Sequence, residues 1–223
     1  MTRRSVKRFR TGAAMAGFAA RLFSSLLLKK RSGKFLVGLS GGRTPERLFK
    51  ILSTLRLPWD RVVFFMSDER LVPPASPASN FGAARRALFS RIKIPRGNLR
   101  PVRTGAGAYE KELLKETGPS GRLDLVFLGL GEDGHMASLF PGSAALRERV
   151  KFVTGARAPR GIKPAKRVTL TFKALNRAGT LVLLSAGPAK KAVFEKAALG
   201  DRSIPAGRLR PRGGFHLLYS EKE

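Results

Sequence analysis

A chain of 223 residues, 43% of them hydrophobic, can bury one substantial core and is not a disordered protein. It has no cysteine, which excludes disulfides and thiolate metal sites and fits an intracellular, cytoplasmic location. Lysine and arginine number 44 against 15 acids, a net charge of +29. The cations are dispersed, without a long basic block or interleaved aromatic residues. Specific nucleic-acid recognition is therefore not expected, whereas non-specific attraction of anions is. No apolar run approaches the roughly 20 residues of a membrane span, so no membrane partner is expected.

Residues 1–45 contain eleven basic residues and no acid. Such a start resembles a transit peptide. However, Met15, Phe18, Ala19, Leu22, Phe23 and Leu26 recur at three- and four-residue spacing, as in a core helix leading into the strand Phe35–Leu39. Residues 1–10 are expected to be a frayed basic arm, with one folded domain over 11–223. Further strands are expected at Val62–Met66, Leu125–Leu128, Val168–Phe172, Leu181–Leu184 and Phe215–Tyr219. Several are continuously apolar, as strands buried on both faces are. Between them lie helical patterns. Thr44 is placed to cap one, with Pro45 at its first position and Leu48, Ile51, Leu52 and Leu55 on one face. Asn80 is placed to cap another, with Phe81, Ala84, Leu88 and Ile92 inward. A third runs from about Pro188 to Leu199. The alternation predicts an α/β, Rossmann-like domain whose mostly parallel sheet carries helices on both faces.

Open α/β sheets bind ligands beyond the carboxyl ends of their strands. The first apolar strand ends in Ser40-Gly41-Gly42-Arg43-Thr44. Backbone amides, two hydroxyls and a cation at a helix start suit a phosphate. The same residues also serve as a plain tight turn with a threonine cap, and no Walker ending follows. The second strand delivers Ser67-Asp68-Glu69-Arg70. Arg70 suits bidentate phosphate binding and Asp68 can orient a substrate or a base. A structural ion pair is the competing reading. The third strand ends in Gly129-Leu130-Gly131-Glu132-Asp133-Gly134-His135. Its glycines satisfy a dinucleotide pattern, but Pro141-Gly142 cuts the following helix short and the Asp-Gly-His cluster has no part in such a fingerprint. His135 instead suits a general base near neutral pH that needs no metal. The other histidine, His216, lies in an apolar run and reads as structural. A later strand leads to Gly187-Pro188-Ala189-Lys190, where a lysine at a helix start is better explained by a nearby anion. Phosphate-binding features thus converge with an acid–histidine pair. The simplest chemistry is attack of water on an electrophilic carbon of a small phosphorylated substrate.

These segments, together with Val72-Pro73, Ser79-Asn80, Ala137-Ser138-Leu139-Phe140-Pro141-Gly142 and Arg167-Val168-Thr169-Leu170-Thr171, resemble the 6-phosphogluconolactonase family over about residues 12–200. The resemblance implies a Rossmann-like fold without a nucleotide or other cofactor. It implies hydrolysis of 6-phospho-D-glucono-1,5-lactone in the pentose phosphate pathway, with His135 as the base. Asp133 or Asp68 would orient the imidazole. Ser40 to Thr44, Arg70, Arg167 and Lys190 would hold the phosphate. A sister family, the glucosamine-6-phosphate deaminases/isomerases, resembles a pattern in which Ile-Ala-Phe-Asn-Glu-Pro follows that histidine. Here Phe140 stands where its glutamate would, and phenylalanine cannot relay a proton. The alternatives are a deaminase/isomerase-like enzyme or a catalytically degenerate member whose basic surface associates with nucleic acid. Three departures from the family stand out. The basic start implies a degraded or absent first strand. The segment after Arg212 lacks the family's Trp and Asp, which leaves the last sheet edge open. The cationic excess is the third.

Overall fold

The computed structural model describes residues 4–223. Strands β1 (Arg4–Thr11), β2 (Phe35–Leu39), β3 (Val62–Met66), β5 (Leu99–Arg100), β6 (Leu125–Gly129), β9 (Thr180–Ala186) and β10 (Gly214–Lys222) form one sheet in the order β1-β10-β9-β6-β2-β3-β5. Every neighbouring pair in it is parallel. Strands β4 (Asp68–Arg70), β7 (Val153–Arg157) and β8 (Lys166–Leu170) form a small antiparallel sheet in the order β4-β8-β7.

The central strands are apolar on both faces because both faces are covered. Helices α1 (Gly12–Lys29), α2 (Arg43–Leu52) and α3 (Asn80–Ala87) pack on one side, and α4 (Ala106–Thr117), α5 (Phe172–Arg177) and α6 (Lys191–Leu199) on the other. Successive residues of a strand alternate between the two cores. Phe64 and Met66 of β3 join Phe23, Leu48 and Trp59 beneath α1 and α2, whereas Val63 and Phe65 join Tyr109 and Leu113 of α4. The pattern repeats in β6 and β9, where Phe127 and Val182 face one way and Leu128 and Leu183 the other. The expected mostly parallel, helix-covered sheet is the one observed. Among the described residues no helix is long and apolar enough to cross a membrane.

Several local expectations are corrected. Residues 4–11 do not fray, nor is a first strand missing: β1 pairs with β10 from Arg4↔Phe215 to Thr11↔Lys222. Residues 1–3 of the expected arm lie outside the described residues. An edge strand needs only a ladder on one side, so exposed arginines and lysines are tolerated, and they conceal the period-two signal. Phe9 anchors the strand against Phe18, with ring centroids 5.6 Å apart, and Arg8 pairs with Glu195 at 2.8 Å. The strand expected at Val168–Phe172 begins at Lys166 and belongs to the small antiparallel sheet, because Thr171 leaves it to cap α5. Helix α2 begins at Arg43, so Thr44 lies inside its first turn and Gly42, at φ 107°, precedes it. The cap of α3 is Ser79, whose Oγ accepts the Gly82 N–H at 2.9 Å, and Asn80 is the helix's first residue. The C-terminal run that left the sheet edge open is the nine-residue β10, held between β1 and β9.

His216 on β10 is half-buried, with Nδ1 2.7 Å from Ser5 Oγ. Burial, aided by Lys7, pushes its pKa below the usual histidine value. The folded state therefore resists a proton that the unfolded chain accepts. This contribution to stability is full above the unfolded value of about 6.5 and is lost as the pH falls through it. Urea midpoints at about pH 7.5 and about pH 5.5 should show a fall at the lower pH, and His216→Gln should shrink that fall.

Candidate active site

The loops beyond β2, β3, β6 and β9 meet around one open cavity of about 220 Å³. That space admits a small phosphorylated molecule. Ser40, Gly41, Gly42, Arg43, Thr44, Asp68, Arg70, His135, Arg167 and Lys190 all line it. Residues separated by up to 150 positions in the chain are thus brought together.

The loop after β2 is held by a buried contact between Ser40 Oγ and Ser67 Oγ, 2.5 Å apart. Glycine at 41 is required by packing, since a Cβ there would lie 2.0 Å from Asn80 Oδ1. The first amides of the ten-residue α2 then follow at the cavity wall, where a helix leaves N–H groups unpaired and favours an anion.

Beyond β3 the chain turns into β4. Its buried Glu69 accepts the backbone N–H groups of Arg70, Asn80 and Phe81 at 2.7–2.8 Å and the Ser79 hydroxyl at 3.1 Å. Burial pushes the Glu69 carboxyl up, against the pull of these four bonds. Glu69 is therefore the structural acid of this segment, gathering the start of α3. Asp68 is also buried. Its Oδ2 accepts from Ser138 Oγ at 2.7 Å and its Oδ1 from Asn80 Nδ2 at 3.3 Å. Both hydrogen bonds come from side chains other than His135.

Arg70 and Arg167 are cross-strand partners in the β4–β8 ladder. Arg70 donates from Nη1 to the Ala78 carbonyl at 2.7 Å, while its buried Nε has no partner among the described residues. Arg167 is 6% exposed and donates from Nε to the Pro164 carbonyl at 3.2 Å. Its pKa is lowered by burial and then by Arg70, with Asp68 and Glu69 opposing. Lys190 is lowered by burial too, and Arg43 adds to that against Glu132 and Glu223. Cations crowded and desolvated in this way favour an anionic ligand, which would relieve both effects.

His135 also lines the cavity. Its Nδ1 lies 2.5 Å from Asp133 Oδ1, and the same oxygen accepts its backbone N–H at 3.0 Å. An ionised carboxylate only accepts, so Nδ1 carries the proton and Nε2 is left basic. The ring packs against Phe140 with centroids 4.6 Å apart, and the Arg167 guanidinium lies 5.7 Å from that phenyl centre. Gly131 is explained by this pair: a Cβ there would lie 2.1 Å from His135 Nδ1 and 2.8 Å from Asp133 Oδ1. Gly131 thus makes room for the imidazole, whereas a Cβ at Gly134 would meet Ile204 at 2.6 Å.

Sequence reasoning did not assign site roles to Asn80, Ser138 or Glu223. Asn80 and Ser138 bond to Asp68 across long chain separations that leave no local signal. Glu223, following β10, forms an exposed ion pair with Arg43 at 3.3 Å.

Three comparisons place the chain among known proteins. The family model described as glucosamine-6-phosphate isomerases/6-phosphogluconolactonase matches residues 10–217. The 6-phosphogluconolactonase of Nostoc sp. is 36% identical over 200 residues, covering 82% of this chain and 81% of that protein. The 6-phosphogluconolactonase of Rattus norvegicus is 35% identical over 222 residues, covering 91% and 84%. The crystal structure of 6-phosphogluconolactonase from Thermotoga maritima superposes with a TM-score of 0.87 at 32% identity, covering 98% of this chain and 100% of that one.

Gly131→Ala should push the imidazole away from Asp133. The His135 ring resonances in NMR spectra should shift, while Tm moves by no more than about 3 °C because the displaced side chain is partly exposed.

Proposed function

The chain belongs to the glucosamine-6-phosphate isomerase/6-phosphogluconolactonase family, and we propose that within it this protein is a lactonase that uses His135 to activate water. The reaction is hydrolysis of 6-phospho-D-glucono-1,5-lactone to 6-phospho-D-gluconate, a step of the pentose phosphate pathway. The observation that carries this reading is the Asp133–His135 pair on a cavity lined by Arg43, Arg70, Arg167 and Lys190. A base and a cluster of anion-binding groups on one small cavity are what an activated, phosphorylated ester needs.

The substrate phosphate lies against the amides and hydroxyls of Ser40 to Thr44, with Arg70, Arg167 and Lys190 as its cations. That anchoring places the lactone carbonyl toward His135. Nε2 takes a proton from water, and the oxygen attacks C1. The resulting oxyanion is held by backbone N–H groups of the glycine-rich segment or by a neighbouring cation. When the C1–O5 bond breaks, the imidazolium returns its proton to O5. Asp133 holds the ring in the required tautomer and stabilises its charged form. The isomerase alternative is disfavoured by Phe140, whose apolar ring packs on His135 where proton relay would need an acid. The lactone is the small-molecule partner, and a cytoplasmic location belongs to the same reading.

The test is hydrolysis of the lactone by purified protein, measured above its spontaneous rate. His135→Ala should lower kcat by about 10²-fold or more with little change in KM. Arg70→Gln should instead raise KM by about tenfold, the loss of one charge-assisted contact to phosphate. An unchanged kcat in His135→Ala would remove the base assignment.

A further inference from the structure

Ser138 has no exposed surface, yet it carries a hydroxyl. A buried polar group is stable only when bonded, and both of its polar ends are. Its Oγ donates to Asp68 Oδ2 at 2.7 Å, and its N–H donates to Thr169 Oγ1 at 3.2 Å. Asp68 and Thr169 are themselves cross-strand partners in the β4–β8 ladder. The next pair on the same face of that ladder, two residues along each strand, is Arg70 and Arg167. Ser138 therefore docks the loop carrying His135 onto the two strands that carry the cavity's arginine pair. The step from docking pair to arginine pair equals two residues of strand, about 6.8 Å.

A second feature points the same way. Ala137, between His135 and Ser138, lines the cavity with φ at 50°. The left-handed region is unfavourable for a residue with a Cβ, by about 1 kcal/mol or more. Such a conformation persists only where the surroundings over-determine it. Here the two bonds of Ser138 lie immediately after it, and the Asp133 contacts of His135 lie just before.

We infer that Ser138 is a positioning residue: by seating on Asp68 and Thr169, it sets the distance between the His135 base and the Arg70–Arg167 pair. This inference rests on the lactonase reading above. It gives Asp68 a role distinct from that of Asp133. Asp133 orients the imidazole ring, whereas Asp68 holds the loop on which the ring stands. It also gives the site a ruler, because a substrate anchored through phosphate on the arginines presents its carbonyl at a fixed span from the base.

The experiment compares wild type, His135→Ala, Ser138→Ala and Thr171→Val on the phosphorylated lactone and on unphosphorylated glucono-1,5-lactone. Thr171 is a buried hydroxyl that accepts the Ala174 N–H and donates to the Lys151 carbonyl, outside the cavity, and serves as the structural control. Ser138→Ala should lower kcat on the phosphorylated lactone by about 10- to 100-fold with KM within about threefold, the scale expected when a base is misplaced by about 1 Å. Its preference for the phosphorylated over the unphosphorylated lactone, as a ratio of kcat/KM, should fall by about tenfold, because an unanchored substrate can follow the displaced base. Thr171→Val should lower Tm while leaving kcat and that preference unchanged. If Ser138→Ala does not fold, Thr169→Val removes the second bond of the same seat and should show the same split. An active wild type with unchanged kcat and preference in these seat variants overturns the inference alone. A wild type without hydrolysis above background overturns the lactonase reading on which it rests.

Discussion

Strands β2, β3, β6 and β9 are apolar on both faces, and each face is sealed by helices. A polar side chain placed mid-strand would lose its water without gaining a partner, which costs several kcal/mol. Chemistry is thereby confined to the strand ends. At the carboxyl ends, successive parallel strands all release their loops on the same side. The order β9-β6-β2-β3 therefore brings Lys190, His135, the Ser40–Thr44 loop and the Asp68–Arg70 segment side by side. The rest of the site follows from that constraint.

Within the cavity, charge is arranged by burial as much as by number. Most of the 44 cations are on the surface, where water and salt screen them. Arg167 is buried beside Arg70, and Lys190 is half-buried beside Arg43; burial lowers the pKa of each below its ordinary value. The structure thus holds an unfavourable concentration of positive charge that an anionic ligand would relieve. The acids nearby offset it only in part, since burial and neighbouring cations still lower both groups. Glu69 is committed to the start of α3, and Asp68 to Asn80 and Ser138.

The parts of the site that could be read from the chain are those made within a few residues. Asp133 and His135 are two residues apart, so the chain offers them as a pair, although it leaves Asp68 open as the other acid. The glycines at 41 and 42 sit between an apolar run and a helical pattern, which marks a strand-to-helix turn before any partner is known. Strands β2, β3 and β6 announce themselves by continuous apolar composition, and β9 and β10 by the apolar runs within them. Strand β1 does not, because an edge strand keeps its charged side chains in water. Strands β4, β5 and β7 are short or polar, and α4 follows Gly105, which offers no side-chain cap, so local pattern passes over them.

Composition and apolar periodicity by themselves determined the α/β class and the sheet buried on both faces. These depend on backbone geometry and on the exclusion of apolar surface from water, both of which act locally along the chain. Only the tertiary structure decided what Asp68 does, since its bonds to Ser138 and Asn80 depend on strand pairing and loop packing across as many as 70 residues. The same is true of the pairing of Arg70 with Arg167, which is a matter of register between two antiparallel strands. Hydrogen bonds and charge proximity are set by distance in space, and distance in space is fixed only once the helices and sheet have packed.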